Sequence, residues 1–356
     1  MQQQFTAIRL SFHHSLHIGS HREEYDRSDS MLHSDSLYSA IIAAWKILGV
    51  EHPVLEYSRN VVPRDLDLGF TISSFFPFFR ENAEAKPVYF FPLPKPGLKA
   101  DKLRRYKDIK WLDLDVFKSY LQAETNKEAN PCGNYLTTHP GFIKSKQERK
   151  KHLSNFPKPA FSDYQDFMQS EVQPRAYVPR MDDGQADTVI FYIERIFFRK
   201  HSGLFGLAVF DNEEVQVKVK IALDYLTDAG IGTDRNVGHG QFEYEMDKFE
   251  HFADLPNSEH ALNLSMFLPE SKEQLSQMLD SEHGCHELMK RGGWITTGDL
   301  LSYRKDAVYM FREGGVFKAN APMINGATAN LRPSVLGHGD PVLRVGRGLF
   351  LPIKIQ

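Results

Sequence analysis

Apolar and polar positions near the amino terminus first follow the spacing of a strand and then that of a helix. Residues 5–12 are rich in β-branched and aromatic side chains and predict an opening strand. Residues 37–48 place apolar side chains on one helical face, and Gly49 is positioned to end that helix. Further strands are predicted over residues 70–79 and 88–93, where prolines interrupt the pattern.

The second half of the chain repeats this order. A mostly apolar strand is predicted over residues 188–193, with residues 204–210 as its partner. Apolar side chains from Val215 to Leu226 recur at helical spacing, although residues 215–219 alone alternate like a strand. A glycine-rich loop and a strand over residues 241–246 follow. The pattern predicts an α+β fold of two ferredoxin-like units.

Length and charge divide the chain further. With 356 residues the chain is long enough for two domains. Residues 95–110 hold seven Lys or Arg, and residues 144–158 hold six. We therefore predict a first RRM-like domain over residues 1–94, a basic inserted thumb over residues 95–160, and a second RRM-like domain over residues 161–356 that contains the glycine-rich loop.

Several classes of protein are disfavoured by composition. Cys132 and Cys285 are the only cysteines and lie outside any CxxC spacing, which argues against a disulfide framework or a zinc ribbon. No signal peptide, transit peptide or membrane-spanning run is evident, so a cytoplasmic protein without a membrane partner is expected. Because the net charge is only −3, a polyanion site requires a local concentration of positive charge.

The loop over residues 230–240 is the most informative segment. Its four glycines allow positive φ angles and expose backbone amides that can bind phosphate oxygens, while Arg235 and His239 add side-chain donors. Neither a Walker loop nor a dinucleotide fingerprint is present, which disfavours nucleotide hydrolysis and hydride transfer. The alternative is a tight helix-to-strand turn in which the glycines serve geometry alone.

A second polar segment, His33 to Ser36, precedes the first predicted helix. The neighbouring Ser, His and Asp invite a catalytic interpretation, but a triad requires three converging side chains, and helix capping is the favoured interpretation. A third possibility is an anion site at the helix start, which Asp35 would oppose.

The remaining clusters add no metal or cofactor to the prediction. His13, His14, His17 and His21 lack an acidic partner at fixed spacing, so solvated or RNA-facing histidines are favoured over a metal site. The basic stretches are either solvated surface or an RNA contact, and aromatic residues at 106, 111, 142 and 156 favour RNA.

These motifs together resemble one family. Residues 33–41, His-Ser-Asp-Ser-Leu-Tyr-Ser-Ala-Ile, resemble the first helix of the fourth Csm subunit of type III-A CRISPR effector complexes, a family of the RAMP superfamily. Residues 230–242 resemble the RAMP glycine-rich loop and its exit strand. Residues 175–193 resemble the lead-in to the second domain, and residues 344–348 resemble the closing segment.

The resemblance implies a non-catalytic subunit that binds the 5′ handle of the guide RNA (crRNA). It also implies two protein partners, a Cas10-type large subunit and a backbone RAMP subunit. The implied crRNA-binding residues are Gly230, Gly232, Asp234, Arg235, Asn236, Gly238, His239, Gly240, His33, Ser34, Ser36, His21, Arg180 and Arg347, with Lys102, Arg104 and Arg105 in the thumb.

Two other functions stay open from sequence. One is a metal-independent endoribonuclease of the same superfamily that processes precursor crRNA, with His239, His33 or His21 as general acid or base. The other is a purely structural assembly subunit, whose RNA binding would not depend on Arg235.

Overall fold

The computed structural model describes residues 4–19, 26–55, 62–95, 110–122, 142–143, 167–177, 189–279, 285–295, 303–319, 323–337 and 339–355. The helices are α1 (Ser34–Leu48), α2 (Leu114–Gln122), α3 (Glu213–Ala229) and α4 (Lys272–Met278). The strands are β1 (Phe5–Phe12), β2 (Phe70–Ile72), β3 (Phe76–Phe79), β4 (Val88–Pro92), β5 (Trp111–Asp113), β6 (Phe142–Ile143), β7 (Met168–Tyr177), β8 (Val189–Phe198), β9 (Gly203–Phe210), β10 (Phe242–Phe249), β11 (His260–Asn263), β12 (Leu288–Arg291), β13 (Val308–Phe311), β14 (Val316–Lys318), β15 (Met323–Ile324), β16 (Thr328–Asn330), β17 (Leu343–Val345) and β18 (Gly348–Pro352). None of the helices in the described ranges is long and apolar enough to cross a membrane.

The largest sheet contains the amino-terminal strand, one place in from its β10 edge. Its order is β10-β1-β9-β3-β4-β5-β6, with β2 also paired to β9. Strand β1 is antiparallel to both β10 and β9. Together with α1 and α3, strands β1, β3, β9 and β10 give the strand order of a ferredoxin-like unit, so the predicted α+β fold class is confirmed.

Helix α1 packs one face of the sheet as its apolar spacing predicts. Leu37, Ile41 and Trp45 are fully buried, and Gly49 ends the helix in the left-handed conformation with φ 66°. Trp45 Nε1 donates to the Lys218 carbonyl at 2.7 Å, which ties α1 to α3. The predicted buried face extended too far, because its last residue, Leu48, is 44% exposed.

Helix α3 resolves the ambiguity of residues 215–219 in favour of a helix. The Asn212 side chain accepts from the Val215 amide and caps the helix start. Val219, Leu223 and Leu226 are buried on the sheet side, whereas Val217 is 46% exposed. The buried side chains of α3 therefore follow the helical spacing and not the strand-like alternation of residues 215–219.

The carboxy-terminal part forms a separate sheet that packs against the other face of the first. The strand order is β14-β11-β18-β15, and helix α4 contacts β14. Leu262 and Leu349 of this sheet share one apolar cluster with Phe76, Phe91 and Phe205 of the first sheet. The core between the two sheets is therefore largely built of phenylalanine.

The pairing of strands in the second half differs from the prediction. Strand β8 pairs with β7 in a long hairpin, and β9 pairs with β1, β2 and β3, so the expected pairing of residues 188–193 with 204–210 is wrong. The glycine-rich loop leads into β10, which completes the sheet of β1. The strand order thus assigns residues 203–249 to the first unit, whereas the predicted boundary at residue 161 assigned them to the second. Local pattern identifies strands but carries no information about which strand each one meets.

The described parts of the predicted thumb continue the first sheet. Strand β5 pairs with β4, and β6 pairs with β5 in parallel. Phe117 of α2 is buried and stacks on Phe91 at 4.4 Å between ring centroids. Most of the basic residues of the thumb, including Lys102, Arg104 and Arg105, lie outside the described residues.

Candidate nucleic-acid interface

The glycine-rich loop connects α3 to β10 through a backbone that only glycine adopts without strain at several positions. Gly230, Gly232, Gly238 and Gly240 have φ angles of 73°, 93°, 83° and 75°. A Cβ atom at Gly240 would lie 1.9 Å from the Ile231 oxygen, whereas a Cβ atom at Gly238 would meet open space. Gly240 therefore allows two backbone segments to approach closely, whereas Gly238 is needed only for its positive φ angle.

The loop is fastened to the segment that follows β1. The Thr233 amide donates to the His17 carbonyl at 3.1 Å, and the Gly240 amide donates to the Ser15 carbonyl at 3.1 Å. His17 is itself 2% exposed, with Nδ1 2.6 Å from the Glu194 carbonyl oxygen. The prediction of a solvated or RNA-facing histidine is thus wrong for His17, because its ring is enclosed by the hairpin.

A second anchor joins the loop to the β7–β8 hairpin. Asp234 adopts a left-handed backbone with φ 61°, and its Oδ2 accepts from Arg195 Nη2 at 2.8 Å. Arg175 Nη2 lies 3.9 Å from the same oxygen. Because the carboxylate is committed to a buried arginine, Asp234 holds the loop in place, and a phosphate contact through this side chain is not favoured.

His239 lies at the base of the loop, half-buried, with Nδ1 2.9 Å from Ser15 Oγ. Burial and the positive charge of Arg195 lower its pKa, and Asp234 only partly opposes them. His239 is therefore neutral at neutral pH.

The outer side of the loop presents donors to solvent. Arg235 and Asn236 are exposed. The amides of Gly232, Arg235 and Asn236 donate no hydrogen bond to any residue that the structure describes. Arg175, 40% exposed at its side chain, and the exposed His14 lie near the same loop. The local concentration of positive charge that the sequence required is found here.

Sequence reasoning missed Arg175 and Arg195 as members of this site, and named His14 only as a solvated or RNA-facing histidine. The hairpin of β7 and β8 and the segment after β1 meet the loop only through tertiary contacts. No spacing in the sequence signals that arrangement.

Burial of His33, Ser34 and Asp35 disfavours the implied RNA contact of the segment His33 to Ser36. His33 and Ser34 are 0% exposed, so neither side chain reaches an RNA bound outside the protein. His33 occupies the capping position without a side-chain cap, and Ser34 Oγ accepts from the Met266 amide at 2.9 Å. Neither side-chain capping of the helix nor an anion site at its start is realised, because the carboxy-terminal sheet covers that end of α1.

His33 bridges two carboxylates in this interior. Its Nδ1 is 2.9 Å from Glu313 Oε1, and its Nε2 is 3.0 Å from Asp29 Oδ2. Burial alone would lower the pKa of His33, but the charge of Glu313 and the hydrogen bonds with Asp29 and Glu313 raise it to about 9. The ring is an imidazolium that donates from both nitrogens.

Asp35 forms the second half of this buried cluster. Arg291 Nε donates to Asp35 Oδ2 at 2.8 Å and Nη2 donates to Oδ1 at 3.0 Å, while Arg344 Nη1 donates to Oδ2 at 2.7 Å. Burial opposes ionisation, yet the two guanidinium groups hold the pKa of Asp35 well below its usual value. Ser36 Oγ accepts from the same Arg291 at 3.0 Å and is only half-buried. The motif therefore fastens α1 to the carboxy-terminal unit.

Arg347 is also a structural residue. It is 7% exposed, its Nε donates to Thr71 Oγ1 at 2.9 Å, and its guanidinium pairs with Asp67. The implied RNA contact of Arg347 is therefore not favoured, because its guanidinium is bonded within the protein. His21 and Arg180 lie outside the described residues. In the described ranges, no group of His, Cys, Asp or Glu side chains is arranged to hold a metal ion.

The fold is of the ferredoxin-like type, and solved structures share it. The chain is similar over 99% of its length to a chain of the crystal structure of the Csm3–Csm4 subcomplex of the type III-A CRISPR-Cas interference complex, with a TM-score of 0.67, 18% identity and 100% of that chain covered. A chain of the crystal structure of the Csm1–Csm4 cassette in complex with cA4 gives a TM-score of 0.56, with 20% identity and 99% of each chain covered.

Sequence comparison finds similarity to one family over part of the chain. Residues 256–353 match the CRISPR Csm4 C-terminal domain. The CRISPR system Cms protein Csm4 of Thermococcus onnurineus (strain NA1) is 30% identical over 146 residues, which are 40% of this chain and 45% of that protein. The match therefore spans less than half the length of that relative. The resemblance to Csm4 stated from the motifs is thus confirmed as a similarity of sequence over part of the chain and as a similarity of fold over nearly all of it.

Proposed function

We propose that the chain is a non-catalytic RNA-binding subunit of a type III-A CRISPR interference complex. In this role it holds the crRNA 5′ handle on the glycine-rich loop and bridges a Cas10-type large subunit to a backbone RAMP subunit. The similar structures contain Csm4 together with Csm3 or Csm1, which supports the subunit role. The loop's own geometry supports the RNA role.

One observation carries the proposal: the loop offers unbonded amides and an exposed arginine at the same place. Residues 232–236 present these donors on a backbone that is fixed from behind by Ser15, His17 and Arg195. Donors held in advance lose little conformational entropy when a phosphate binds. A charge-assisted bond to Arg235 is worth roughly 1.5–3 kcal/mol. The site thus suits the backbone of single-stranded RNA.

The test is the variant Arg235→Ala. Because the Arg235 side chain is exposed and lies outside the apolar core, its loss should leave the melting temperature unchanged and weaken handle binding roughly 10- to 150-fold. The measurement is an RNA titration and a melting curve at one stated salt concentration. Lys272→Ala, which removes an exposed cation on α4, is the matched control and should bind as wild type does. An Arg235→Ala protein that melts much lower but binds normally would assign Arg235 a structural role.

The endoribonuclease alternative can be tested at His239. A neutral, half-buried imidazole beside two arginines has the protonation state of a general base. His33 cannot take this role, since it is buried and both its nitrogens are bonded to carboxylates. The proposal predicts that repeat RNA stays intact in the absence of metal. Cleavage that His239→Ala abolishes would instead establish the endoribonuclease.

A further inference from the structure

The carboxy-terminal unit carries an exposed aromatic surface that the glycine loop does not use. Strands β12 and β13 form a hairpin that continues through a bridge between Trp294 and Arg304. Trp294 is 43% exposed, Tyr303 is 44% exposed and Tyr309 is 59% exposed. Large rings left this open on one short hairpin are unusual for a surface that contacts only water.

Two of these rings are paired with cations. Arg304 Cζ lies 4.7 Å from the centre of the Trp294 ring, and Lys290 Nζ lies 5.9 Å from the centre of the Tyr309 ring. Such cation–π contacts favour one orientation of each ring and place positive charge beside a π surface. Aromatic rings interleaved with cations are the combination that binds unpaired bases and the phosphates between them.

The space between the two rings is lined by small residues. Lys290 is directly opposite Tyr309, and Gly292 and Ala307, two residues further along each strand, share their face of the hairpin. A Cβ atom at Gly293, which has φ 110°, would meet no atom within 4 Å. Because Gly292 and Ala307 are small, they leave this face of the hairpin without a bulky side chain next to Tyr309 on the side of Trp294.

The other face of the hairpin is held rigidly. Met310 is fully buried, and Arg291 makes the two hydrogen bonds to Asp35 that join the hairpin to α1. Beyond the paired strands, the Ile295 amide donates to the Tyr303 carbonyl at 2.9 Å. The rings are thus presented on a fixed support, which lowers the entropic cost of binding.

We propose that this hairpin is a second contact for single-stranded RNA, on which unpaired bases stack against Trp294 and Tyr309 while Lys290 neutralises a phosphate. The inference rests on the proposed RNA-binding function but concerns a different surface from the glycine loop. An apolar protein partner fits this face less well, because glycines and cations separate its rings. Stacking on two rings should contribute at least a tenfold increase in affinity.

Tryptophan emission gives a direct readout, because Trp45 and Trp111 are 0% and 4% exposed and Trp294 alone among the three tryptophans is open. The full chain is titrated with a single-stranded oligouridylate, with an RNA duplex of equal length, and with heparin as a polyanion without bases. Stacking predicts that the single strand quenches Trp294 emission and that heparin does not. Equal quenching by heparin would overturn the inference.

Binding of labelled oligouridylate to variants gives the second readout. Trp294→Ala and Tyr309→Ala should each weaken binding at least fivefold, while Trp294→Phe, which keeps a ring, should stay within about twofold of wild type. Lys290→Gln should lower the slope of log affinity against log salt by ~0.7. If Arg235→Ala weakens binding but the ring variants do not, the proposed function stands and this second contact is wrong. If wild type binds no RNA at all, both fail together.

Discussion

The segment His33 to Ser36 and the loop at residues 230–240 are both short polar segments at the end of a helix, and the protein uses them in opposite ways. The first is covered by the carboxy-terminal sheet, and its charges are neutralised by Glu313, Arg291 and Arg344. The second is covered only from behind, and its Arg235 faces solvent. Equal polarity therefore leads to an internal fastening in one region and to an exposed surface in the other.

The difference lies in which groups supply the hydrogen-bond partners. A charge buried by folding must find its counter-charge inside the chain, since an unpaired buried charge is strongly unfavourable. Exposed amides and an exposed arginine have water as their partner, and a phosphate can replace that water. Substitutions in the first region should thus change stability, and those in the second should change RNA affinity.

The largest effect is expected from Asp35→Asn. Removing this charge leaves Arg291 and Arg344 buried without their counter-ion, which should lower the free energy of unfolding by roughly 3–5 kcal/mol. Denaturant titration measures the change. Asp340→Asn, at an exposed ion pair with Lys46, is the matched control and should cost less than about 1 kcal/mol. A variant at Asp35 that is as stable as wild type but binds RNA poorly would return this segment to the RNA surface.

Stability should also depend on pH through His33. Its pKa is raised from 6.5 in the unfolded chain to about 9, so its contribution is complete below pH 6.5 and disappears as the pH rises through 9. The shift corresponds to roughly 3 kcal/mol. Lys305, whose pKa is lowered to about 8, opposes this trend at higher pH.

The comparison with His33→Gln isolates the effect, because Lys305 is common to both proteins. The stability difference between wild type and His33→Gln should be largest near pH 6 and should shrink steadily up to pH 9 to 10. Unfolding curves at a series of pH values measure it. A difference that does not vary with pH would mean that His33 is not charged in the folded protein.

The smallest effects separate two glycines of the exposed loop. Gly240→Ala places a Cβ atom 1.9 Å from the Ile231 oxygen and should cost more than the ~1–2 kcal/mol of a left-handed backbone alone. Gly238→Ala meets open space and should cost only that backbone term. Gly238→Val should cost more than Gly238→Ala because its branched side chain restricts the backbone further. Melting curves of the three variants give the order, and equal losses at both positions would contradict the assigned roles.

Local pattern was enough to predict much of the framework. The spacing of Leu37, Ile41 and Trp45 predicted the buried face of α1, and the stripe from Val219 to Leu226 predicted that of α3. Gly49 was predicted to end α1 and does so, and the loop glycines, expected to allow positive φ angles, adopt them. These features follow from short-range sterics and from helical periodicity, which act within a few residues of each position.

The partners of these elements were decided only by the tertiary structure. Asp35 meets Arg291, and Ser15 meets His239, across more than 200 positions of the chain. The start of α1, where helix capping was predicted, is buried in the structure. Strand β10, which the sequence assigned to a second domain, completes the sheet that contains β1. The amino-acid sequence by itself determined which segments are strands, helices and tight turns. Whether a polar segment ends in the core or at the surface depends on which distant segment covers it, and that is a property of the whole packed chain.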